Sequence, residues 1–113
     1  MSATDDGRWK LRHGPFELDL LLRTLRVDGL PCELAPVQFC MLAYMLAHRG
    51  RAITSEEFFL RVLRSHHERT SSSVRNQIAA IRRELGAHGY LLQTQRACGY
   101  GFDLAIGATV IER

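Results

Sequence analysis

Polar and apolar positions alternate from Phe16 onward. Phe16, Leu18, Leu20 and Leu22 take one phase, while Glu17, Asp19 and Arg23 take the other. A period of two predicts a half-buried strand. Leu25 and Val27 continue an apolar phase after Thr24, and Asp28-Gly29 then separates Val27 from Leu30. An Asp-Gly pair between two such runs is a hairpin signal, because both residues tolerate positive φ. Leu30, Cys32 and Leu34 make the return strand. With "RWKLRH" ahead, the first third reads as a small antiparallel sheet.

The period then lengthens to that of a helix. Pro36 suits a first turn, since its ring fixes φ near the helical value. Phe39, Leu42, Ala43 and Leu46 share one face, and Cys40, Met41, Tyr44 and Met45 make the other faces largely apolar. A helix apolar most of the way round is a central, buried one. It stops near His48–Gly50. "TSEE" from Thr54 predicts a capping box, with Glu57 reaching back to the Thr54 amide. Phe58, Phe59, Val62 and Leu63 supply the core contacts of this second helix.

"RSHHERTSS" is polar and aperiodic, and reads as a loop. In "SSSVRNQIAAIRRELG" a single stripe returns: Val74, Ile78, Ile81 and Leu85. Ser71 or Ser72 caps the start and Gly86 fits just past the end. "YLLQT" and "YGFDL" read as two strands around "QRACG". Strands, three helices and a hairpin in that order predict an α+β fold, a winged helix-turn-helix with an N-terminal antiparallel sheet and a C-terminal β-hairpin wing. The expected organisation is a polar tail over 1–7, one domain over 8–104 and an extension over 105–113.

Charge adds a hint about the partner. Residues 1–50 hold six Lys/Arg and six Asp/Glu, whereas residues 51–113 hold nine Arg and six Asp/Glu, so the net charge of +3 lies in the second half. A positive half favours an anionic partner. Nothing approaches the ~20 apolar residues of a membrane span, and no signal-peptide core follows the start. A cytoplasmic protein with no membrane partner is expected. Cys32, Cys40 and Cys98 are too far apart for a disulfide framework or a CxxC site and read as small buried hydrophobes. His66 and His67 are adjacent and diverge. No metal, cofactor or catalytic site is expected, because no carboxylate pair or Ser-His-Asp set is assembled.

The third helix carries chemistry for base edges. Opposite its stripe lie Asn76, Ala79, Ala80 and Arg83, flanked by Arg75 and Arg82, with Gln77 and Glu84 on the other shoulder. Asn and Gln pair bidentately with adenine and Arg with guanine, and alanine lets the backbone approach. Serines at the start suit a phosphate. The same residues would also describe a solvated amphipathic helix. The hairpin that follows favours DNA.

These stretches resemble the OmpR/PhoB-type winged-helix DNA-binding domain of bacterial response regulators, from about Leu11 to Leu104. "LAPVQFCMLAYMLAHRGRAITSEEF" resembles the family's central helix, turn and second-helix start, "VRNQIAAIRREL" its recognition helix, and "QTQRACGYGF" its closing wing. The resemblance implies double-stranded DNA as partner, with the helix in the major groove and the wing on the minor groove or backbone. It implies DNA contact by Ser72, Ser73, Asn76, Gln77 and Arg82 on the helix, to which the outward Arg83 is added. On the wing it implies Thr94, Arg96 and Tyr100, with Gly99 permitting the turn and Phe102 packing inward.

Several residues depart from the family pattern. Ala79 and Ala80 stand where some members hold phosphates with basic residues. Ala97 replaces a common wing glycine, Arg75 a frequent aspartate, and Ala35 the usual Ser/Thr cap. The family also implies RNA polymerase contact through loop 64–71, and pairing on DNA by a chain that is monomeric when free. No phospho-acceptor receiver stands ahead of the domain in this sequence. The alternative reading is a winged-helix protein-interaction module with little DNA affinity of its own.

Overall fold

A computed structural model of the chain describes residues 9–63 and 71–104. Its first part is a four-stranded antiparallel meander: β1 (Lys10–His13), β2 (Phe16–Asp19), β3 (Thr24–Val27) and β4 (Leu30–Cys32). The register sets Leu11 opposite Leu18, Leu18 opposite Leu25 and Leu25 opposite Cys32. Side chains in one row across a sheet share a face, and this row, with Phe16, is the face turned to the core. Asp28 and Gly29 both take positive φ, 55° and 82°, as the Asp-Gly signal requires.

The long strand expected from Phe16 to Leu22 is corrected. β2 ends at Asp19, and Leu20, Leu21 and Leu22 are exposed in a turn. Asp19 Oδ1 accepts from the Leu21 and Leu22 amides at 3.0 and 2.9 Å. A short acidic side chain competes with the ladder for these donors. The return strand likewise stops at Cys32, with Leu34 half-buried beyond it.

Three α-helices follow: α1 (Pro36–Ala47), α2 (Ser55–Arg61) and α3 (Ser71–Leu85). Phe39, Met41, Leu42, Met45 and Leu46 bury α1 in the centre. Val74, Ile78, Ile81 and Leu85 are each at most 3% exposed and seat α3 against it. Because α3 already begins at Ser71, its cap position falls outside the described residues.

The capping box at α2 forms only by half. Thr54 Oγ1 accepts from the Glu57 amide at 3.0 Å. The Glu57 carboxylate does not return to Thr54, because it is drawn to Arg51 and Tyr44.

Gly86, at φ 61°, ends α3 as expected. The next segment is not the predicted strand over "YLLQT": Gly86–Leu91 is a 3-10 helix, and β5 is only Gln93–Gln95. Leu91 and Leu92 face the core side by side in sequence, which a regular strand cannot arrange. β5 pairs with β6 (Gly99–Gly101), completing the winged-helix architecture. Phe102 then meets Phe16 edge-on at 5.6 Å and closes the hairpin onto the sheet. The cysteines are not buried hydrophobes: Cys32 and Cys40 are half-buried and Cys98 is exposed at the hairpin tip. No helix among the described residues is long and apolar enough to cross a membrane.

Candidate nucleic-acid interface

Burying one stripe of α3 turns the opposite side outward. Arg75, Asn76, Ala79, Arg83 and Glu84 are exposed there, with Gln77, Ala80 and Arg82 half-buried on the shoulders. Ser73 is only 8% exposed. Ser72 lies in the first turn of α3, and its side chain is outside the described residues. The loop expected to touch RNA polymerase and the His66-His67 pair also fall outside them, apart from Ser71. Among the described residues no group of His, Cys, Asp and Glu could hold a metal ion.

The β5–β6 hairpin stands beside this face. Thr94 pairs with Tyr100 and Gln95 with Gly99, and the Cys98 amide donates to Gln95 O at 2.9 Å to close the tip. Arg96, Ala97 and Cys98 are exposed, and Thr94 faces solvent on β5. Ala97 takes φ 66° without being glycine.

The hairpin does not hang free. The Ile53 amide donates to Tyr100 O at 2.8 Å and the Tyr100 amide to Ile53 O at 3.0 Å. Gly99 is required by that contact: a Cβ there would stand 2.1 Å from Ile53 O. Tyr100 is half-buried against the core.

A second tie joins the wing to α3. Arg82 Nε donates to Leu92 O at 2.9 Å, and Arg82 Nη2 donates to Thr94 Oγ1 at 2.7 Å. Two residues expected from the resemblance to contact DNA are thus bonded to each other. The guanidinium is planar with donors in a fixed fork, so the pair sets the distance from helix to wing. Gln77 is also engaged, accepting on Oε1 from Gln38 Nε2 at 3.0 Å.

The charges beneath the wing cancel locally. Both Glu57 oxygens accept from Arg51, at 2.9 and 2.8 Å, and Oε2 also accepts from Tyr44 Oη at 2.6 Å. Arg51, with help from Tyr44, holds the Glu57 carboxyl down at about 2. The same carboxylate pushes the Tyr44 phenol and the Arg51 guanidinium up. Arg75, Arg83 and Arg96 have no such partner among the described residues. Three uncompensated guanidinium groups therefore lie on the outer face of α3 and the wing tip.

A family model described as "Transcriptional regulatory protein, C terminal" matches residues 29–102. The chain belongs to this family. The match takes in β4 through Phe102, and so the whole of α3 and the wing. The phosphate regulon transcriptional regulatory protein PhoB of Pseudomonas aeruginosa is 28% identical over 99 residues, covering 87% of this chain and 43% of PhoB. The chain thus spans less than half the length of this curated relative.

Among solved structures, the DNA-binding domain of CpxR from E. coli superposes with a TM-score of 0.71 at 23% identity, covering 82% of this chain and 94% of CpxR's domain. The Klebsiella pneumoniae RstA DNA-binding domain, crystallised in complex with the RstA box, gives 0.70 at 24% identity, covering 82% and 95%. These likenesses are of fold. This transcriptional-regulator domain thus has the OmpR/PhoB-type winged-helix fold that its motifs implied.

Gln38, Arg51 and Leu92 escaped the reading of motifs, and Glu57 entered it only as the capping-box residue of α2. Gln38 alone left a local sign, a glutamine three residues after a chain entry at Ala35-Pro36 that lacks a capping hydroxyl.

Proposed function

We propose that the unit over residues 8–104 binds double-stranded DNA with sequence preference and regulates transcription. α3 enters the major groove and the hairpin rests on the adjacent minor groove or backbone. The observation that carries this reading is the trio Arg75, Arg83 and Arg96, exposed and without a partner among the described residues, on two elements that Arg82 ties together. Unpaired guanidinium groups on one face neutralise phosphates and release counterions, and a fixed spacing between helix and wing lets both bind one duplex. RstA, of the same fold, was crystallised with a DNA box, which supports the same partner here.

Asn76 is exposed on α3 and reads a base edge, while Arg75, Arg83 and Arg96 hold backbone. Ser72, Ser73 and Thr94 act at the margins: Ser73 is buried, and Thr94 keeps its hydroxyl proton for a phosphate while accepting from Arg82. Tyr100 braces the hairpin from its half-buried position. The chain works in the cytoplasm, is monomeric when free, pairs on DNA and contacts RNA polymerase through 64–71.

Selection of duplexes from a random pool, followed by footprinting, tests this. A protected site of defined sequence is expected. A pool that yields no enriched sequence and no retained duplex would instead support the protein-interaction reading.

A further inference from the structure

Gln38 and Gln77 form a relay whose polarity is fixed. Gln38 lies in the first turn of α1, and its Oε1 accepts from the Ala35 amide at 3.1 Å. A backbone N–H only donates, so the atom facing it has to be the oxygen. Gln38 Nε2 is thereby turned toward Gln77, 3.0 Å away, and meets Gln77 Oε1. Oxygen and nitrogen of an amide are usually interchangeable by inspection. Here exchanging them in either side chain would oppose two donors or two acceptors. Gln77 Nε2 therefore faces away from Gln38 with both of its N–H donors.

The relay also orders Gln77 before any ligand arrives. Gln38 belongs to the start of the central helix and Gln77 to the half-buried shoulder of α3. A long polar side chain held in one rotamer loses less freedom on binding.

We infer that Gln38 is a positioning residue for base readout: it holds the Gln77 amide so that Nε2 donates to the N7 of a purine in the major groove. The inference rests on the DNA-binding reading above and gives one of its side chains a direction. Both purines present N7 as an acceptor, and guanine adds O6. Gln77 Oε1 has one lone pair occupied by Gln38, so the donors lead the contact. Cytosine, which offers N4–H donors in the groove, is disfavoured opposite Gln77.

The test uses the full chain and its selected duplex, with each purine in turn replaced by its 7-deaza analogue. Removal of one N7 should weaken wild type by about tenfold, as for a good base contact, and should cost Gln77→Ala nothing further. Gln38→Glu keeps an acceptor for Ala35 but offers Gln77 a carboxylate, so the Gln77 amide turns round to donate to it. That variant should lose the 7-deaza effect and move its preference at the same position toward a base with an exposed N–H. Its urea midpoint reports that the fold is kept.

A 7-deaza effect that persists in Gln77→Ala, or a base preference unchanged in a folded Gln38→Glu, would overturn the inference while leaving DNA binding intact. Wild type that retains no duplex at any salt concentration would instead overturn the DNA-binding reading, and the inference with it.

Discussion

Gly99→Ala should loosen the wing and destabilise the whole domain. The residue sits at φ +126°, and an added Cβ would stand 2.1 Å from Ile53 O, 2.5 Å from its carbonyl carbon and 2.9 Å from the Thr54 nitrogen. All three atoms are backbone, so no side chain can swing aside. Holding alanine in that conformation costs ~1–3 kcal/mol. Pushing the hairpin away costs the two hydrogen bonds between Ile53 and Tyr100, each worth ~0.5–1.5 kcal/mol. The expected loss is ~2–6 kcal/mol, against a typical total of ~5–15 kcal/mol.

Gly29→Ala is the control. Its φ is +82° with nothing within 4 Å of the added carbon, so only conformational strain of ~1–2 kcal/mol remains. Urea unfolding of both variants, with hydrogen exchange at the Ile53 and Tyr100 amides, measures the difference. If Gly99→Ala unfolds at the same urea concentration as Gly29→Ala, with both amides still protected, the wing is not seated on Ile53 as described.

Ile81→Ala, at 0% exposure in the α3 stripe, should cost ~2–5 kcal/mol in urea unfolding; an unchanged midpoint would mean that α3 faces the other way. Arg82→Lys keeps the charge but cannot span Leu92 O and Thr94 Oγ1. It should weaken DNA binding by duplex titration while leaving the salt slope unchanged, because the charge is kept; affinity equal to that of wild type would mean that the Arg82 fork does not set the spacing of helix and wing. The Glu57 carboxyl is held at about 2 in the fold against an ordinary 4.5. Its stabilisation is therefore full above pH ~4.5 and lost as pH falls toward ~2. The melting temperature of wild type should drop more than that of Glu57→Gln between those values, and parallel curves would remove Glu57 from the acid response.

The elements that depend on neighbours in sequence were legible in it. The Val74–Leu85 stripe, the Asp28-Gly29 hairpin and the apolar girth of α1 each follow from spacing alone, and each formed where expected. Leu20 and Leu22 kept the alternation of Phe16 and Leu18, but one Asp19 oxygen took two amides and ended the strand. Alternation cannot show that competition. The "TSEE" box was half right because Glu57 had a stronger partner in Arg51, whose approach depends on the turn after α1.

At the candidate interface the face of α3 was legible, but the state of its side chains was not. Gln77 meets Gln38 across 39 residues, and Arg82 reaches Thr94 past a 3-10 segment of which the pattern marks only Tyr90 and Leu91, as strand. Such pairings are set by packing of α1, α3 and the wing together, which no local pattern records.

In the proposed function α3 and the wing bind duplex DNA through arginines that have no partner among the described residues. The most direct measurement is a titration of wild type and Arg96→Ala with one selected duplex at several salt concentrations. Arg96 is the only charged residue between Gly89 and Gly101, and it is exposed at the hairpin tip. Wild-type affinity should fall steeply as salt rises, and the slope of log K against log salt should be smaller by about one in the variant, since one fewer counterion is released. A wild-type affinity indifferent to salt, or superimposable lines for the two proteins, would contradict the account.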